Sequence, residues 1–290
     1  MALARRSIPR ILLRMISHIS CGNYHISLDK TIIMGILNVT PDSFSDGGKF
    51  LDTEHAVAQA KQMIADGADI IDIGGESSRP GSEQVSEKEE LRRVIPVVHR
   101  LLHEVNVPLS IDTTKPTVAE ECLKAGVHLV NDITGLKNKK MISVVAKYNV
   151  PVIIMHMQGE PKTMQKNPIY NDVVKDIKRF FTQQIKEAKK KKIKTIILDP
   201  GMGFGKTTEH NLEILRRLHE FSTLKCPLLV GPSRKSFIGN ISGLPVTDRL
   251  EGTLAAMSIA IMNGAHIIRV HDVRECKRAA QIADAIKNVK

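Results

Sequence analysis

From Thr31 to the end of the chain, short β-branched runs alternate with amphipathic segments of about ten to twenty residues, a pattern typical of parallel strands joined by crossover helices. The predicted strands are Ile32–Leu37, Ile70–Ile73, Leu109–Ile111, Leu129–Asn131, Val152–Met155, Ile196–Leu198, Leu228–Val230 and Ile267–Val270. The predicted helices begin near His55, Glu87, Pro116, Lys139, Tyr170, Glu209 and Val246, and a last one runs from Val273 to Ile286. This alternation predicts an α/β fold, a (β/α)8 TIM barrel.

A doubly wound open sheet is the alternative fold for the same pattern. It would require a Gly-x-Gly-x-x-Gly turn after the first strand, where the sequence is NVTPDSFSDGG. The most apolar helical segment, LAAMSIAIMNGA, is too short and too closely bounded by polar residues to span a bilayer. We therefore favour the barrel and expect this segment to pack in its core.

The beginning of the chain differs in composition from the rest. Four arginines precede Asp29, the first acidic residue, and such a composition also occurs in organelle presequences. A loosely ordered extension, or a true start at Met15, is the interpretation that we favour over targeting. We therefore expect residues 1–28 to form a loosely ordered basic extension and residues 29–290 to form a single barrel domain.

Charge and cysteine content narrow the classes of partner. The formal net charge of +11 would suit a nucleic acid, an anionic membrane or a small polyanionic substrate. Aromatic residues make up only 3% of the chain, so the stacking side chains of a single-strand binder are scarce. The four cysteines form no Cys-x-x-Cys pair and have no clustered histidine. We expect small-molecule substrates, no nucleic-acid or membrane partner, no disulfide or zinc site, and a reducing, cytoplasmic setting.

Polar residues follow every predicted strand, at the end where (β/α)8 enzymes carry their active sites. A single Asp or Asn there has an ordinary explanation as a helix cap or turn residue. Polar residues after all eight strands are not explained by packing, and together they indicate an active site. The residues are Asn38, Asp72 in IDIGGESSRPGS, Asp112 in DTTKP, Asn131 and Asp132 in NDITG, His156 in HMQG, Asp199 in DPGMGFGK, Arg234 and Lys235 in GPSRKS, and Arg269 and His271 in RVHDV.

These side chains fall into two chemical groups. The carboxylates and amide of Asp112, Asp199 and Asn131 suit a flat, NH-rich heterocycle such as a pterin or a purine. Arg269 and His271 are two residues apart on one strand, so they point to the same side, where two donors suit an anion. With Asn38 as a possible Mg²⁺ ligand, the second group suits a pyrophosphate. Lys235 lies between the two groups.

The sequence resembles the dihydropteroate synthases, enzymes of folate synthesis that join a pterin pyrophosphate to p-aminobenzoate. The resemblance runs from about Thr31 to the C-terminus. Its most specific stretches are ILNVTPDSFSDGG and IIDIGGESSRPG, supported by IDTTKP, VNDITG, MHMQGEPKTMQ, LDPGMGFGK, GPSRKSFIG and RVHDV. It implies a (β/α)8 barrel, a transferase that releases pyrophosphate, a Mg²⁺ ion, sulfonamide sensitivity and a homodimer. The apolar segments LAAMSIAIMNGA and AAQIADAI are candidates for the dimer face, although packing against the barrel is the alternative.

The resemblance also implies a role for each matching position. The pterin ring would be bound by Asp112, Asn131, Asp199 and Lys235, with Met155 lining its pocket. Asn38 would be the metal ligand, and the pyrophosphate would be held by Ser78, Arg269 and His271. The p-aminobenzoate site would comprise Phe204, Lys235, Ser236 and two mobile loops that carry Phe44, Asp46, Arg79 and Pro80. The residues assigned to catalysis are Lys235, Asp46 and Arg79.

The family chemistry begins with early cleavage of a C–O bond, and the aniline nitrogen then attacks the resulting pterin cation. Ser78 stands where the family usually has threonine, so a methyl group that could contact the second substrate or a sulfonamide is missing. Two other functions share a pterin pocket: a methyltransferase that serves a corrinoid protein, and a catalytically silent paralogue. ESSRPG and SRKS argue against the first, whereas Asn38, Lys235 and His271 argue against the second.

Overall fold

The computed structural model describes residues 17–40, 49–77, 84–160 and 162–289. Within them, eight parallel strands form one sheet in the order β8-β7-β6-β5-β4-β3-β10-β9. A parallel bridge between Leu198 and Leu228 joins its two outer strands and brings the sheet close to a complete ring. The barrel prediction is thus confirmed, and the open sheet was wrong. The strands are β3 (Ile32–Asn38), β4 (Ile70–Gly74), β5 (Leu109–Asp112), β6 (Leu129–Asp132), β7 (Val152–Met155), β8 (Ile196–Asp199), β9 (Leu229–Val230) and β10 (Ile267–Val270).

Helices surround this sheet and begin close to the predicted positions. Two helices, α7 and α8, lie in this part of the chain: α8 begins at Leu250 and is the helix predicted near Val246, whereas α7 was not predicted. Gly243 ends the first of them in the left-handed conformation, and Pro245 follows it. The helices are α1 (Lys49–Ala65), α2 (Glu87–Glu104), α3 (Pro116–Ala125), α4 (Lys139–Tyr148), α5 (Val173–Lys190), α6 (Thr208–Arg216), α7 (Ser236–Ser242), α8 (Leu250–Met262) and α9 (Val273–Lys287), with a 3-10 helix at Leu218–Leu224.

The side chains of the barrel strands separate into two apolar clusters. The outward-facing set packs against the helices, and the second set fills the lower part of the barrel with Ile32, Met34, Ile70, Leu129, Ile153, Ile197, Leu229 and Ile267. Since alternate residues of a strand share a face, the residues two positions further along also point into the barrel. On four strands these are the polar residues Asp72, Asn131, Asp199 and Arg269, and on three others they are Ile36, Met155 and Gly231. The interior is therefore apolar at one end and polar at the carboxyl end of the strands.

A β-hairpin covers the apolar end of the barrel. Strand β1 (His18–Cys21) pairs antiparallel with β2 (Tyr24–Ser27), and Ile19 and Cys21 belong to the same buried cluster as the lower barrel residues. The expectation of a loosely ordered segment was therefore wrong for residues 18–27. The alternation of apolar and polar residues on both sides of Gly22 and Asn23 was the signal for it. The rest of that prediction, for residues 1–16, lies outside the described residues.

Truncating Ile19 should destabilise the protein without affecting catalysis. Its side chain is 1% exposed, so Ile19→Ala should lower the free energy of unfolding by about 2–4 kcal/mol, measured by urea denaturation. The turnover rate should stay unchanged because the hairpin lies at the end of the barrel opposite to the polar residues. His18→Ala is the matched control, since His18 is exposed on the same strand. Equal losses in both variants would contradict a packing role for the hairpin.

The most apolar helix packs on the barrel through one side only. Helix α8 buries Thr253, Ala256, Met257, Ala260 and Ile261, which agrees with the predicted core packing. Its other side leaves Ile259 and Met262 exposed. None of the helices in the described part of the chain combines the length and apolarity needed to cross a membrane.

Candidate active site

Asp72 joins three of the predicted site residues into one network. Its carboxylate is fully buried on β4, and Oδ2 accepts hydrogen bonds from Arg269 Nε at 2.6 Å and from Asn131 Nδ2 at 2.9 Å. Arg269 Nη2 also donates to Asp112 Oδ2 at 2.6 Å. Four strands, β4, β5, β6 and β10, thus contribute to a single polar cluster. The sequence analysis placed Asp112 and Asn131 in the group for a heterocycle and Arg269 in the group for a pyrophosphate, and it assigned no role to Asp72.

This network determines which atoms remain available as hydrogen-bond acceptors. Because Nδ2 of Asn131 donates to Asp72, the amide oxygen of Asn131 is left to accept a bond from another molecule. Burial raises the pKa of Asp112 to about 7, against the opposing effect of Arg269. Burial also raises the pKa of Asp199, although the Gly201 N–H, 2.7 Å from Oδ1, and Lys235 act in the other direction. Asp112 is therefore an acceptor whose charge depends on pH near neutrality.

Lys235 lies where the aromatic and the acidic parts of the site meet. It follows β9 as the N-cap of α7, and its Nζ is 4.2 Å from the centroid of the Phe204 ring, within the range of a cation–π interaction. Burial and the positive charge of Arg269 lower the pKa of Lys235 to about 8, while Asp199 and Asp112 favour the charged form. At neutral pH the ammonium form therefore still predominates. Ser236 is exposed beside it as the first residue of α7.

An apolar wall stands beside Lys235. It consists of a buried cluster, separate from the main core, of Ile133, Met155, Met157, Met164 and Phe204. Met155 and Phe204 were predicted from the resemblance, whereas the other three were missed. The methionines of MHMQGEPKTMQ were the available signal, because Met at a strand exit suits an adaptable contact with a flat ring.

The glycine-rich loop after β8 packs tightly against the end of β7. Gly201 has φ +68°, and a Cβ there would lie 2.0 Å from the carbonyl oxygen of His156. Gly205 has φ +61°, and a Cβ there would lie 2.3 Å from the carbonyl oxygen of Gln158. Both positions therefore need glycine for its conformation and for its lack of a side chain. This close backbone contact accounts for these two glycines of DPGMGFGK without a phosphate.

His271 is held by the neighbouring strand exit. Ser233 Oγ lies 2.9 Å from His271 Nδ1 and also accepts the His271 backbone N–H at 3.2 Å. Burial lowers the pKa of His271 to about 4, and the charges of Arg269 and Arg234 act in the same direction. The ring is thus neutral at physiological pH and has one N–H to donate.

Three further strand-end residues serve the local structure. Arg234 Nε donates to Asp272 Oδ2 at 2.9 Å, which ties the exit of β9 to that of β10. Asp132 accepts the backbone N–H groups of Thr134 and Leu136, both at 2.9 Å, and so stabilises the turn after β6. His156 contacts Lys206, a buried residue that the sequence reasoning missed. The ordinary interpretations as turn and cap residues therefore apply to part of the set.

Asn38 provides an oxygen at the edge of the site, as a Mg²⁺ ligand must. It ends β3 opposite Gly74, and a Cβ on Gly74 would lie 3.9 Å from Asn38 Oδ1 and 3.8 Å from Asp112 Cβ. The described residues contain no group of three or more His, Cys, Asp or Glu side chains that could hold a metal. Mg²⁺ commonly takes one or two protein oxygens and completes its shell with phosphate oxygens and water. The residues therefore fit an ion that binds together with a phosphorylated substrate.

The predicted loop residues Phe44, Asp46, Ser78, Arg79 and Pro80 lie outside the described residues. The described residues on either side of the segment with Ser78, Arg79 and Pro80 are nevertheless held by hydrogen bonds. Glu76 Oε1 accepts the Val85 N–H at 3.0 Å, and Lys115 Nζ donates to Glu76 Oε2 at 2.5 Å and to Glu90 Oε2 at 2.6 Å. These contacts attach both ends of this segment to the loop after β5.

Comparison with known proteins gives one consistent result. Residues 34–271 match the family model described as pterin binding enzyme. The chain is 48% identical over 267 residues to the dihydropteroate synthase of Escherichia coli K12, across 91% of this chain and 95% of that protein. The Yersinia pestis dihydropteroate synthase, solved with a sulfonamide drug, superposes with a TM-score of 0.89 at 46% identity, covering 94% of this chain and 100% of that one. The Thermus thermophilus enzyme with 4-aminobenzoate gives a TM-score of 0.85 at 41% identity, covering 93% and 99%.

Proposed function

Because this chain belongs to the pterin-binding enzymes, as a dihydropteroate synthase, we propose that the pocket at its strand ends contains the residues that bind the two substrates and assist the synthase reaction. The reaction is a transfer in which (7,8-dihydropterin-6-yl)methyl diphosphate condenses with p-aminobenzoate to give 7,8-dihydropteroate and pyrophosphate. The observation that carries the assignment of residues is the Asp72 network, which holds Asp112, Asn131 and Arg269 at the mouth of the barrel.

The pterin ring binds at the acidic part of the pocket. Asp112, Asp199 and the amide oxygen of Asn131 accept hydrogen bonds from the ring N–H groups, and a buried carboxylate makes such bonds stronger than water would. Met155 packs on the ring as part of the apolar wall. Once the C–O bond breaks, the same carboxylates stabilise the cation that forms on the pterin.

The p-aminobenzoate ring binds along the apolar wall. Phe204 and Lys235 offer a ring face and a cation 4.2 Å apart, and Ser236 adds a hydroxyl at the rim. An aromatic amine is a modest nucleophile, so the rate depends on how well the leaving group and the pterin cation are stabilised. The ammonium group of Lys235 lies close enough to Asp199 and Asp112 to affect their charges, and it therefore links the two substrate sites.

The leaving pyrophosphate is held at the outer edge of the network. Among the described residues, Arg269 donates through Nε to Asp72 and through Nη2 to Asp112, so Nη1 remains for a phosphate oxygen. The neutral ring of His271 donates one further hydrogen bond. Asn38 would hold Mg²⁺, which when bound neutralises charge on the departing pyrophosphate. We assign Ser78 to the binding of the same group, and Phe44, Asp46, Arg79 and Pro80 to the exclusion of water from the cation.

We propose that the protein is a homodimer. Ile259, Met262, Ile282 and Ile286 on α8 and α9 are exposed, with fractions of 50%, 45%, 64% and 60%. Such apolar side chains on two packed helices favour contact with a second copy. Light scattering tests this directly, and a monomer at micromolar concentration would overturn it.

We also propose a cytoplasmic setting. All four cysteines are free and buried, which supports it.

The decisive experiment measures pyrophosphate release from the pterin diphosphate by the purified protein. We expect release that requires p-aminobenzoate and Mg²⁺ and that yields dihydropteroate in equal amount. No release with both substrates and Mg²⁺ would overturn the proposal. Tight binding of methyltetrahydrofolate without pyrophosphate chemistry would indicate the methyltransferase, and pterin binding without turnover would indicate a silent paralogue.

Pterin binding should weaken as the pH falls through about 7. In the free protein, burial raises the pKa of Asp112 to about 7, and the ring N–H groups bind the ionised carboxylate. Affinity is therefore complete above this pKa and falls by up to about tenfold per pH unit below it. Titration calorimetry with 6-hydroxymethylpterin measures the effect between about pH 5.5 and about pH 8, a range that extends about one unit or more to each side of this pKa. Asp112→Asn should bind weakly at every pH, and a wild-type affinity independent of pH would contradict the prediction.

A further inference from the structure

Lys206 is a buried cation that the proposed reaction does not use. Its side chain is 3% exposed, and Nζ donates to the carbonyl oxygens of Phe204 at 2.9 Å and His156 at 3.2 Å. Nζ also lies 3.1 Å from His156 Nδ1. No salt bridge joins Lys206 to a carboxylate within the described residues, so the ammonium group is satisfied mainly by uncharged acceptors. Burying a cation without a carboxylate partner is unfavourable, so the presence of Lys206 at this position calls for an explanation.

These contacts join two segments that border the pocket. His156 follows β7, and Phe204 lies in the loop after β8, so Nζ bridges the exits of two neighbouring strands. Other side chains hold other parts of this loop: Asn211 Oδ1 accepts the Gly203 N–H at 2.8 Å, and Tyr170 Oη donates to the Gly205 carbonyl at 2.8 Å. Lys206 holds the carbonyl of Phe204 itself, the residue whose ring faces Lys235.

We propose that Lys206 is a positioning residue that determines the affinity for the aromatic amine substrate. By fixing the Phe204 carbonyl to the end of β7, it keeps the Phe204 ring over Lys235 and holds open the place for a second aromatic ring. It does not touch the substrate. The orientation of Asp112 and Asn131 does not depend on it, because Arg269 holds Asp112 and Asp72 holds Asn131. The inference rests on the proposed function, since it assigns the Phe204 side of the pocket to p-aminobenzoate.

Burial lowers the pKa of Lys206 to about 7, an effect opposed by Asp199 and reinforced by Lys235. Both of these charged groups belong to the proposed pocket. A substrate or a substitution that changes their charge therefore also changes the charge of Lys206. This coupling agrees with a residue placed to serve the site rather than the general core.

The test compares Lys206→Met with the wild type in steady-state assays with both substrates. The KM for p-aminobenzoate should rise about tenfold, which corresponds to loss of a hydrogen bond to a charged group, while the KM for the pterin diphosphate stays within about twofold. Lys137→Met is the matched control, because Lys137 Nζ donates at 3.3 Å to the carbonyl of Met157, one residue beyond His156, and does not contact Phe204. Its KM values should equal those of the wild type.

Several outcomes would overturn the proposal: unchanged KM values in Lys206→Met, an equal rise in both KM values, or the same selective rise in Lys137→Met. If the methionine variant does not fold, Lys206→Gln decides the question, because its shorter side chain cannot reach both carbonyls. In that variant a rise of about threefold or more for p-aminobenzoate alone supports the proposal, and no rise or an equal rise overturns it. If the wild type releases no pyrophosphate, the proposed function itself has failed, which is a distinct result.

Discussion

Lys235→Met should lower kcat/KM for pyrophosphate release by about 10²–10³-fold, the range seen when one preorganised charge-stabilising donor is removed from an active site. The ammonium group faces the Phe204 ring and is close enough to Asp199 and Asp112 to feel their charges. No other lysine in the described residues makes a cation–π contact with Phe204. Initial rates with saturating Mg²⁺ and varied concentrations of both substrates would measure the loss.

The fold should survive this change, because burial disfavours the charged form of Lys235 and methionine fills a similar volume. Urea denaturation should show a free energy of unfolding within about 1 kcal/mol of the wild type. Lys175→Met is the matched control on an exposed helix, with 72% of the side chain in solvent, and its kcat/KM should not change. If the Lys235→Met enzyme kept more than a third of wild-type activity, Lys235 would not take part in the mechanism.

The residues around Lys235 also show how far sequence reasoning could reach. The ends of the strands were predictable because β-branched runs stop abruptly at polar residues, and the barrel fold places all such ends on one face. Arg269 and Asp112 could therefore be expected to lie near each other, although 157 residues separate them. Asn38, Met155, Asp199 and Phe204 were located by the same reasoning together with the family resemblance.

The sequence could not show which polar side chains are hydrogen-bonded to each other. Asp72 and Asp112 look alike in the sequence, but only Asp72 accepts from both Arg269 and Asn131. The role of Lys206 depends on a contact with His156, 50 residues away, and on the path of a loop backbone. Such details follow from side-chain packing between strands and not from residue type or spacing.

Arg269→Met should be the most destabilising of these substitutions. The guanidinium bridges Asp72 Oδ2 and Asp112 Oδ2, each at 2.6 Å, and Asp72 is fully buried. Removing one partner of a buried ion pair leaves an uncompensated charge, so the free energy of unfolding should fall by about 3–5 kcal/mol. The deficit should increase with pH, because burial raises the pKa of Asp112 to about 7, so that this carboxyl binds a proton at low pH and is charged at high pH. Urea denaturation at pH 6 and pH 8, on either side of the neutral range, measures both effects.

Two companion variants separate the buried pair from ordinary surface charge. Arg274→Met removes a similar contact, 2.7 Å from Arg274 Nε to Asp66 Oδ1, but its side chain is 53% exposed, so the loss should stay below about 1 kcal/mol. Asp72→Asn combined with Arg269→Met removes one of the two stranded charges and should recover part of the stability at pH 8. It should not recover pterin binding, because Asp112 loses its donor Arg269 and Asn131 loses the carboxylate of Asp72. A double variant no more stable than Arg269→Met would show that the buried charge of Asp72 is not the cause of the loss.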